Sequence, residues 1–231
     1  MTPLIALAIG MAGQPAEAAR PLIADDARTV DAKACQLETW VQKKRDSTEY
    51  GVAPACNFTG NLELSVAAAR IDEDSGIRTT DLTFQGKTVF RTLEPNGWSW
   101  GLVAGNILHR GGDASGSLIG DLYAFVPVTH SLRDDRLFVH ANLGWFHERE
   151  TRRHRMTWSV ASEGQLNERI WLIGETFGEN QGKPFYQFGL RYWIVPNHVQ
   201  ADATYGNRFG RGTDERWFYI GLRFLTKAFL P

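Results

Sequence analysis

From residue 35 to the C-terminus the chain alternates with a period of two, and this constrains its fold more than any other feature. Leu62, Leu64, Val66 and Ala68 are interleaved with Glu63, Ser65, Ala67 and Ala69. Leu137, Val139, Ala141, Leu143 and Trp145 alternate with Phe138, His140, Asn142, Gly144 and Phe146. The same rhythm runs through Phe188, Leu190 and Tyr192, through Val199, Ala201, Ala203 and Tyr205, and through Phe218, Ile220, Leu222 and Phe224. Successive side chains of a strand point to opposite faces, so each segment has one apolar face and one small, polar or charged face. Repeated strands without helical patterns leave an all-β sandwich or barrel.

Three features favour a barrel in a membrane. Apolar rows end in an aromatic (Trp145, Tyr192, Tyr205, Phe224), as a girdle at the bilayer edge requires. The last strand is apolar on alternate residues and ends in Phe224, as a C-terminal assembly signal would, although Leu225 to Pro231 run beyond it. The connections also fall into two classes. Glu94-Pro95-Asn96-Gly97, Val195-Pro196-Asn197-His198 and Cys56 to Gly60 are short. Ile71 to Ile77, Leu108 to Ser117, His147 to Arg155, Gly178 to Pro184 and Phe209 to Glu215 are longer polar loops.

Segmentation gives twelve strands, near 35–43, 48–56, 61–70, 77–93, 97–108, 117–128, 136–147, 155–163, 169–177, 185–194, 199–208 and 216–225. The expected fold is therefore a closed antiparallel transmembrane β-barrel of about twelve strands over residues 35–231. Ten strands remain open, because the second segment contains Pro54 and the eighth alternates weakly. An even number puts both termini on the periplasmic side of a bacterial outer membrane. The mean hydropathy of −0.29 does not decide, because only every second strand residue faces lipid. No apolar run of about 18 residues offers a helical span.

Residues 1–19 read as a signal peptide, with an apolar run from Leu4 to Gly13 and the small-x-small site Ala16-Glu17-Ala18. The usual basic n-region is missing, and a short buried helix is the alternative. Residues 20–34, polar and aperiodic with Asp25, Asp26 and Asp31, form either a periplasmic lead-in or a plug. Folding a hairpin about Arg45 and Asp46 places Cys35 opposite Cys56, so the two cysteines of an exported chain pair as a disulfide. With 25 basic and 26 acidic side chains, the chain lacks the basic excess of a nucleic-acid binder. Its eight Trp and 23 Gly suit a membrane boundary and the turns of a sheet.

Short motifs point to a family. Arg20 to Ala27 leads into Gln36-Leu37-Glu38, and Asp134-Asp135-Arg136-Leu137 precedes Asn142-Leu143-Gly144-Trp145. Glu175-Thr176-Phe177-Gly178, Gly189-Leu190-Arg191-Tyr192-Trp193 and Gly221-Leu222-Arg223-Phe224 follow. On these motifs the mature chain resembles the bacterial outer-membrane putative transporters of the MetA pathway of phenol degradation. The resemblance implies a barrel and, through it, uptake of hydrophobic or aromatic compounds.

The phases place Glu175, Arg191, Asp202 and Arg223 on consecutive strands facing the lumen, with Glu38 beside Arg223 where the barrel closes. Alternating signs let neighbours pair. Such a network either stiffens the interior, because buried charges must be paired, or forms a selective constriction. His140 and Asn142 face inward beside Ser159 of the next strand, but no nucleophile motif accompanies them, so an enzyme is not expected. A membrane-embedded lipid-modifying enzyme is the third alternative, behind a channel and a closed structural or surface-binding barrel.

Arg149, Arg152, Arg153 and Arg155 crowd an outer loop and offer contacts to lipopolysaccharide phosphates; ordinary solvated loop charge is the alternative. His147, His154, Glu148 and Glu150 lack a diagnostic ligand spacing, and neither metal nor cofactor is expected. The partners expected are lipid, lipopolysaccharide, the barrel-assembly machinery at the last strand and a small-molecule solute. Inward Trp40, Phe125 and Trp193 argue for a filled lumen, whereas inward Ser65, Ala67, Ala69, Thr204, Gly206 and Gly221 argue for an open one.

Overall fold

The computed structural model describes residues 21–110 and 118–231. The signal peptide expected at 1–19, Arg20 and most of the loop expected at 108–117 lie outside the described residues. The strands are β1 (Cys35–Lys44), β2 (Ser47–Asn57), β3 (Leu62–Glu73), β4 (Arg78–Arg91), β5 (Trp98–Arg110) and β6 (Asp121–Leu132). They continue as β7 (Leu137–Glu148), β8 (Arg153–Gln165), β9 (Ile170–Glu179), β10 (Phe185–Val195), β11 (Val199–Arg208) and β12 (Trp217–Leu225). Each pairs antiparallel with the next, and β12 pairs back onto β1, so the sheet closes as one twelve-stranded barrel.

The two doubtful segments are full strands. In β2, Pro54 stands opposite Leu37 on the β1 side. On the β3 side the partner register is interrupted between Val52 and Ala55, where Pro54 has no N–H to donate. Pro127 sits in a similar interruption between β5 and β6. The eighth strand runs from Arg153 to Gln165, longer than the segment read from the sequence. Ten strands are thereby excluded.

The contrast in loop length is smaller than expected. The strands continue into the polar stretches at 71–77 and 147–155, leaving only 74–77 and 149–152 as connections. Polar side chains do not end a strand whose neighbour offers hydrogen bonds, so polarity overestimates loops.

The two faces follow the alternation. Outward-pointing Leu64, Val66, Phe84, Leu102, Leu143, Val160, Leu172, Leu190, Ile220 and Leu222 are exposed and apolar, a surface that needs hydrocarbon around it. Aromatics gather near both rims of this band. At the end where β1 begins and β12 ends, Phe90 packs on Trp100 at 4.7 Å and Arg91 lies 4.4 Å over Trp98. At the far end Tyr186, Phe188, Tyr205, Phe209 and Phe218 form a continuous outer patch with centroid spacings of 4.7–6.5 Å.

Inside, large rings lie flat against glycines of the neighbouring strand. A Cβ at Gly51 would fall 1.9 Å from Trp40, and one at Gly206 would fall 2.1 Å from Trp217. These glycines make room for rings and leave no open space. Gly221 is covered by Tyr219 of its own strand. Counting Gly206 and Gly221 towards an open lumen is thus corrected, because a ring from the next strand or from two residues along fills the place of the missing side chain.

Cys35 and Cys56 are directly opposite in the β1–β2 register and are joined by a disulfide. At the same end, Asn96 and Asp134 tie two turns together. Asp134 N donates to Asn96 Oδ1 at 2.9 Å, and Asn96 Nδ2 donates to Asp134 Oδ1 at 2.6 Å. This pair supports three successive non-glycine residues, Arg133, Asp134 and Asp135, at φ of 55–62°. Left-handed backbone is costly for such residues and needs outside support.

Candidate functional site: the lumen

Residues 21–34 are inside the barrel. They enter beside the disulfide, where Lys33 N donates to Asn57 O at 2.7 Å, and run towards the middle of the lumen. No strand is assigned within the segment. Wall side chains take the place of a ladder. Val30 N donates to Glu63 Oε2 at 2.7 Å, and Asn57 Nδ2 donates to Val30 O at 2.8 Å. Ala27 N donates to Thr129 Oγ1 at 2.7 Å, and Asn142 Nδ2 reaches Asp25 O at 3.2 Å. Deeper in, Ile23 N and Ala24 N each donate to Glu175 at 2.9 Å, and Gln187 Nε2 donates to Pro21 O at 2.6 Å. Buried backbone polar groups must find partners, and six wall residues on β2, β3, β6, β7, β9 and β10 supply them here.

The segment's own side chains complete the fit. Leu22 and Ala24 pack on Ala161 and Ile173. Asp25 is 1% exposed and receives Lys87 Nζ at 2.7 Å; the same ammonium lies 3.1 Å from Asp26. Arg28 pairs with Asp26 at 2.9 Å and covers the ring of Phe138 at 4.7 Å.

The predicted lumen charges all face inward, but they do not form one ring of alternating signs. Arg191 Nε donates to Asp202 Oδ1 at 2.9 Å, and its Nη1 donates to Glu163 Oε2 at 2.5 Å. Arg223 lies opposite Glu38 across the closure, with Nε–Oε1 at 3.4 Å, and also bonds Gln36. Glu175 stands apart. The β9–β10 register puts Gln187 opposite Glu175 and Trp171 opposite Arg191. Four residues of strand, roughly 13 Å, therefore separate Glu175 from the level of Arg191. Strand register, invisible in a list of inward residues, decides which charges meet.

His140 is fully buried. Its Nδ1 meets Thr129 Oγ1 at 2.9 Å, and its Nε2 lies 3.4 Å from Glu163. Ser159 Oγ donates to Asn142 Oδ1 at 3.0 Å, so the neighbouring serine bonds the asparagine and not the histidine. A continuous polar chain thus runs from the segment's Ala27 N through Thr129, His140, Glu163, Arg191 and Asp202 to Gln200, whose Nε2 donates to Asp202 Oδ2 at 2.7 Å. Glu163, Lys87, Glu63 and Thr129 were missed from the sequence. Parity alone could have found them, since each shares its strand's inward phase.

Between the segment and the wall, at the end where β1 begins and β12 ends, a vestibule of about 400 Å³ remains. Phe138, Trp171 and Trp193 contribute apolar surface to it, and Arg191, Gln200 and Arg223 contribute polar edges. Arg191 Nη2 and Gln200 Oε1 have no hydrogen-bond partner among the described residues. Beyond the segment, two clusters line the far half of the lumen: Trp40, Phe177, Trp217 and Tyr219 on one side, and Val103, Ile107, Tyr123 and Phe146 on another. Near the far mouth His109 bridges Asp81 at 2.7 Å and Asp121 at 3.1 Å.

The arginine-rich stretch is a tight β7–β8 turn and not a long loop. Arg155 is taken up by Glu148 at 2.7 Å and Glu179 at 3.1 Å, and Arg149 bonds Ile119 O. Arg152 and Arg153 stay exposed. His147 and His154 stack at 4.4 Å, with Trp145 beside them. Among the described residues, no group of His, Cys, Asp and Glu is arranged to hold a metal ion.

The family model described as Uncharacterised conserved protein UCP029691 matches residues 6–225. The chain belongs to that family. No curated protein matches this UCP029691 member in sequence. Solved structures match its fold. A KdgM porin superposes with a TM-score of 0.63 at 10% identity, covering 83% of this chain and 99% of that one. A KdgM porin in complex with disordered oligogalacturonate gives 0.62 at 11% identity, covering 83% and 99%. A NanC porin gives 0.59 at 10% identity, covering 82% and 98%. This UCP029691 chain therefore has the fold of an outer-membrane porin-like barrel.

Proposed function

We propose that this protein is an outer-membrane channel for small molecules, with the start of β1 and the end of β12 facing the periplasm and residues 1–19 removed on export. Their removal leaves the new N-terminus in the lumen beside Pro21 while the segment is docked. The observation that carries the reading is a polar, charge-lined lumen with a vestibule of about 400 Å³ inside a closed twelve-stranded barrel. Charged groups on an inner wall are costly to bury, and a pathway for polar molecules gives them a use. The porin-like fold supports the same reading.

Phe138, Trp171 and Trp193 beside Arg191 and Gln200 suit solutes with an apolar face and a hydrogen-bonding edge. Hydroxylated aromatics have that character, and they fall within the hydrophobic or aromatic compounds implied by the resemblance to phenol-pathway transporters. The exposed Arg152 and Arg153 face outwards from the cell and meet lipopolysaccharide phosphates. The outward apolar row of β12 is what the assembly machinery engages.

A closed barrel is the second reading, favoured by residues 21–34 seated in the lumen. Swelling of proteoliposomes in graded phenols and sugars separates the two. A channel admits small solutes faster than empty vesicles, and Trp193→Ala or Gln200→Ala changes the preference for phenols over sugars. Swelling at the empty-vesicle rate for every solute contradicts the channel.

A further inference from the structure

We infer that residues 21–34 are a built-in gate, which blocks the channel while docked and undocks as a unit without disturbing the barrel. This rests on the channel reading and adds a device to it. The segment crosses the lumen between the vestibule and the two aromatic clusters, so a solute moving from one to the other must pass it.

Its attachment is of a separable kind. It contributes nothing to the closed sheet, whose twelve pairings are complete without it. Side chains hold it at Glu63, Thr129, Asn142, Glu175 and Gln187, and each bond ends on the segment's backbone. Breaking these bonds leaves every strand pair intact, which is the condition for local opening at less than the cost of unfolding. One end stays tethered at Cys35, where the disulfide fixes the point of entry.

Lys87 is the latch. Its ammonium, 5% exposed in the side chain, is shared between Asp25 at 2.7 Å and Asp26 at 3.1 Å. Arg28 can neutralise Asp26 but travels with the segment, and among the described residues Lys87 is the wall cation in direct contact with that pair of carboxylates. Without Lys87, docking must bury Asp25 with no opposite charge from the wall, and the balance moves to the undocked state.

The test uses three variants of the full chain. In Ala27→Cys/Thr129→Cys, the new thiols stand on two residues held together by the 2.7 Å bond from Ala27 N to Thr129 Oγ1, so oxidation locks the segment to β6. In Lys87→Met the latch is gone. Single-channel currents are recorded in planar bilayers, and wild type in the same reductant controls for the Cys35–Cys56 bond. The gate requires that the oxidised double variant be silent and regain current on reduction. It also requires that Lys87→Met raise the conducting fraction about tenfold over wild type. Equal currents from locked and reduced protein overturn the gate and leave the channel standing. Failure of the lock to form in a folded, heat-modifiable barrel overturns the docking itself. Silence from every form, while Ala27→Cys in the Lys87→Met background reacts with a membrane-impermeant maleimide, overturns the channel and the gate with it.

Discussion

At the scale of single residues, the lumen is a set of charges that hold one another in place. Arg191 lies between Glu163 and Asp202, and all three are buried. Removing the cation strands two carboxylates, which typically costs about 3–5 kcal/mol. Arg191→Met is therefore expected to lower unfolding stability by that amount in urea titrations of vesicle-embedded protein. Arg223→Met should cost less, because Arg223 is only partly buried and meets a single carboxylate, Glu38. Equal losses would refute the ranking. The inward phase of Arg191, Asp202, Arg223, Glu38, His140 and Asn142 was legible from alternation. Their partners were not. Glu163 sits near the end of a strand whose boundary sequence alone sets poorly, and Lys87, although opposite Glu63 of β3, makes its close ion pairs with the segment. Contacts made across a lumen leave no spacing signal.

At the scale of elements, the first hairpin was the most legible part of the fold. A turn at Arg45 and Asp46 sets the register, and the register brings the cysteines together. The crosslink spans 21 residues of sequence, and closing a loop of that size stabilises by about 2–4 kcal/mol. The Cys35→Ser/Cys56→Ser protein should lose that much and keep its twelve strands, as equilibrium unfolding with circular dichroism would report. A change in sheet content would contradict a purely stapling role. The turn pair Asn96 and Asp134 makes a similar claim. Asn96→Ala removes both of its side-chain bonds beside three left-handed residues and should cost about 1–2 kcal/mol in the same assay. Loop lengths were read less well, because polar residues at strand ends join the ladder when a partner strand is present, as at 71–73 and 153–155.

At the scale of the whole molecule, the inside-out distribution of polarity followed from the alternation, while closure of the sheet was read from the aromatic row ends, the last strand and the two classes of connection. The course of residues 21–34 followed from none of these. The segment has no periodicity because it pairs with no strand, and its place is set by wall groups from β2 to β10 that become neighbours only once the barrel closes. Lead-in and plug therefore read alike in sequence. Passage of solutes needs a polar route through the barrel, and current across a planar bilayer measures that route directly. Full-chain protein is expected to pass small, ohmic steps that alternate with silence as the segment leaves and returns. A folded, heat-modifiable barrel that passes no current at any voltage, in wild type and in Lys87→Met alike, would contradict it.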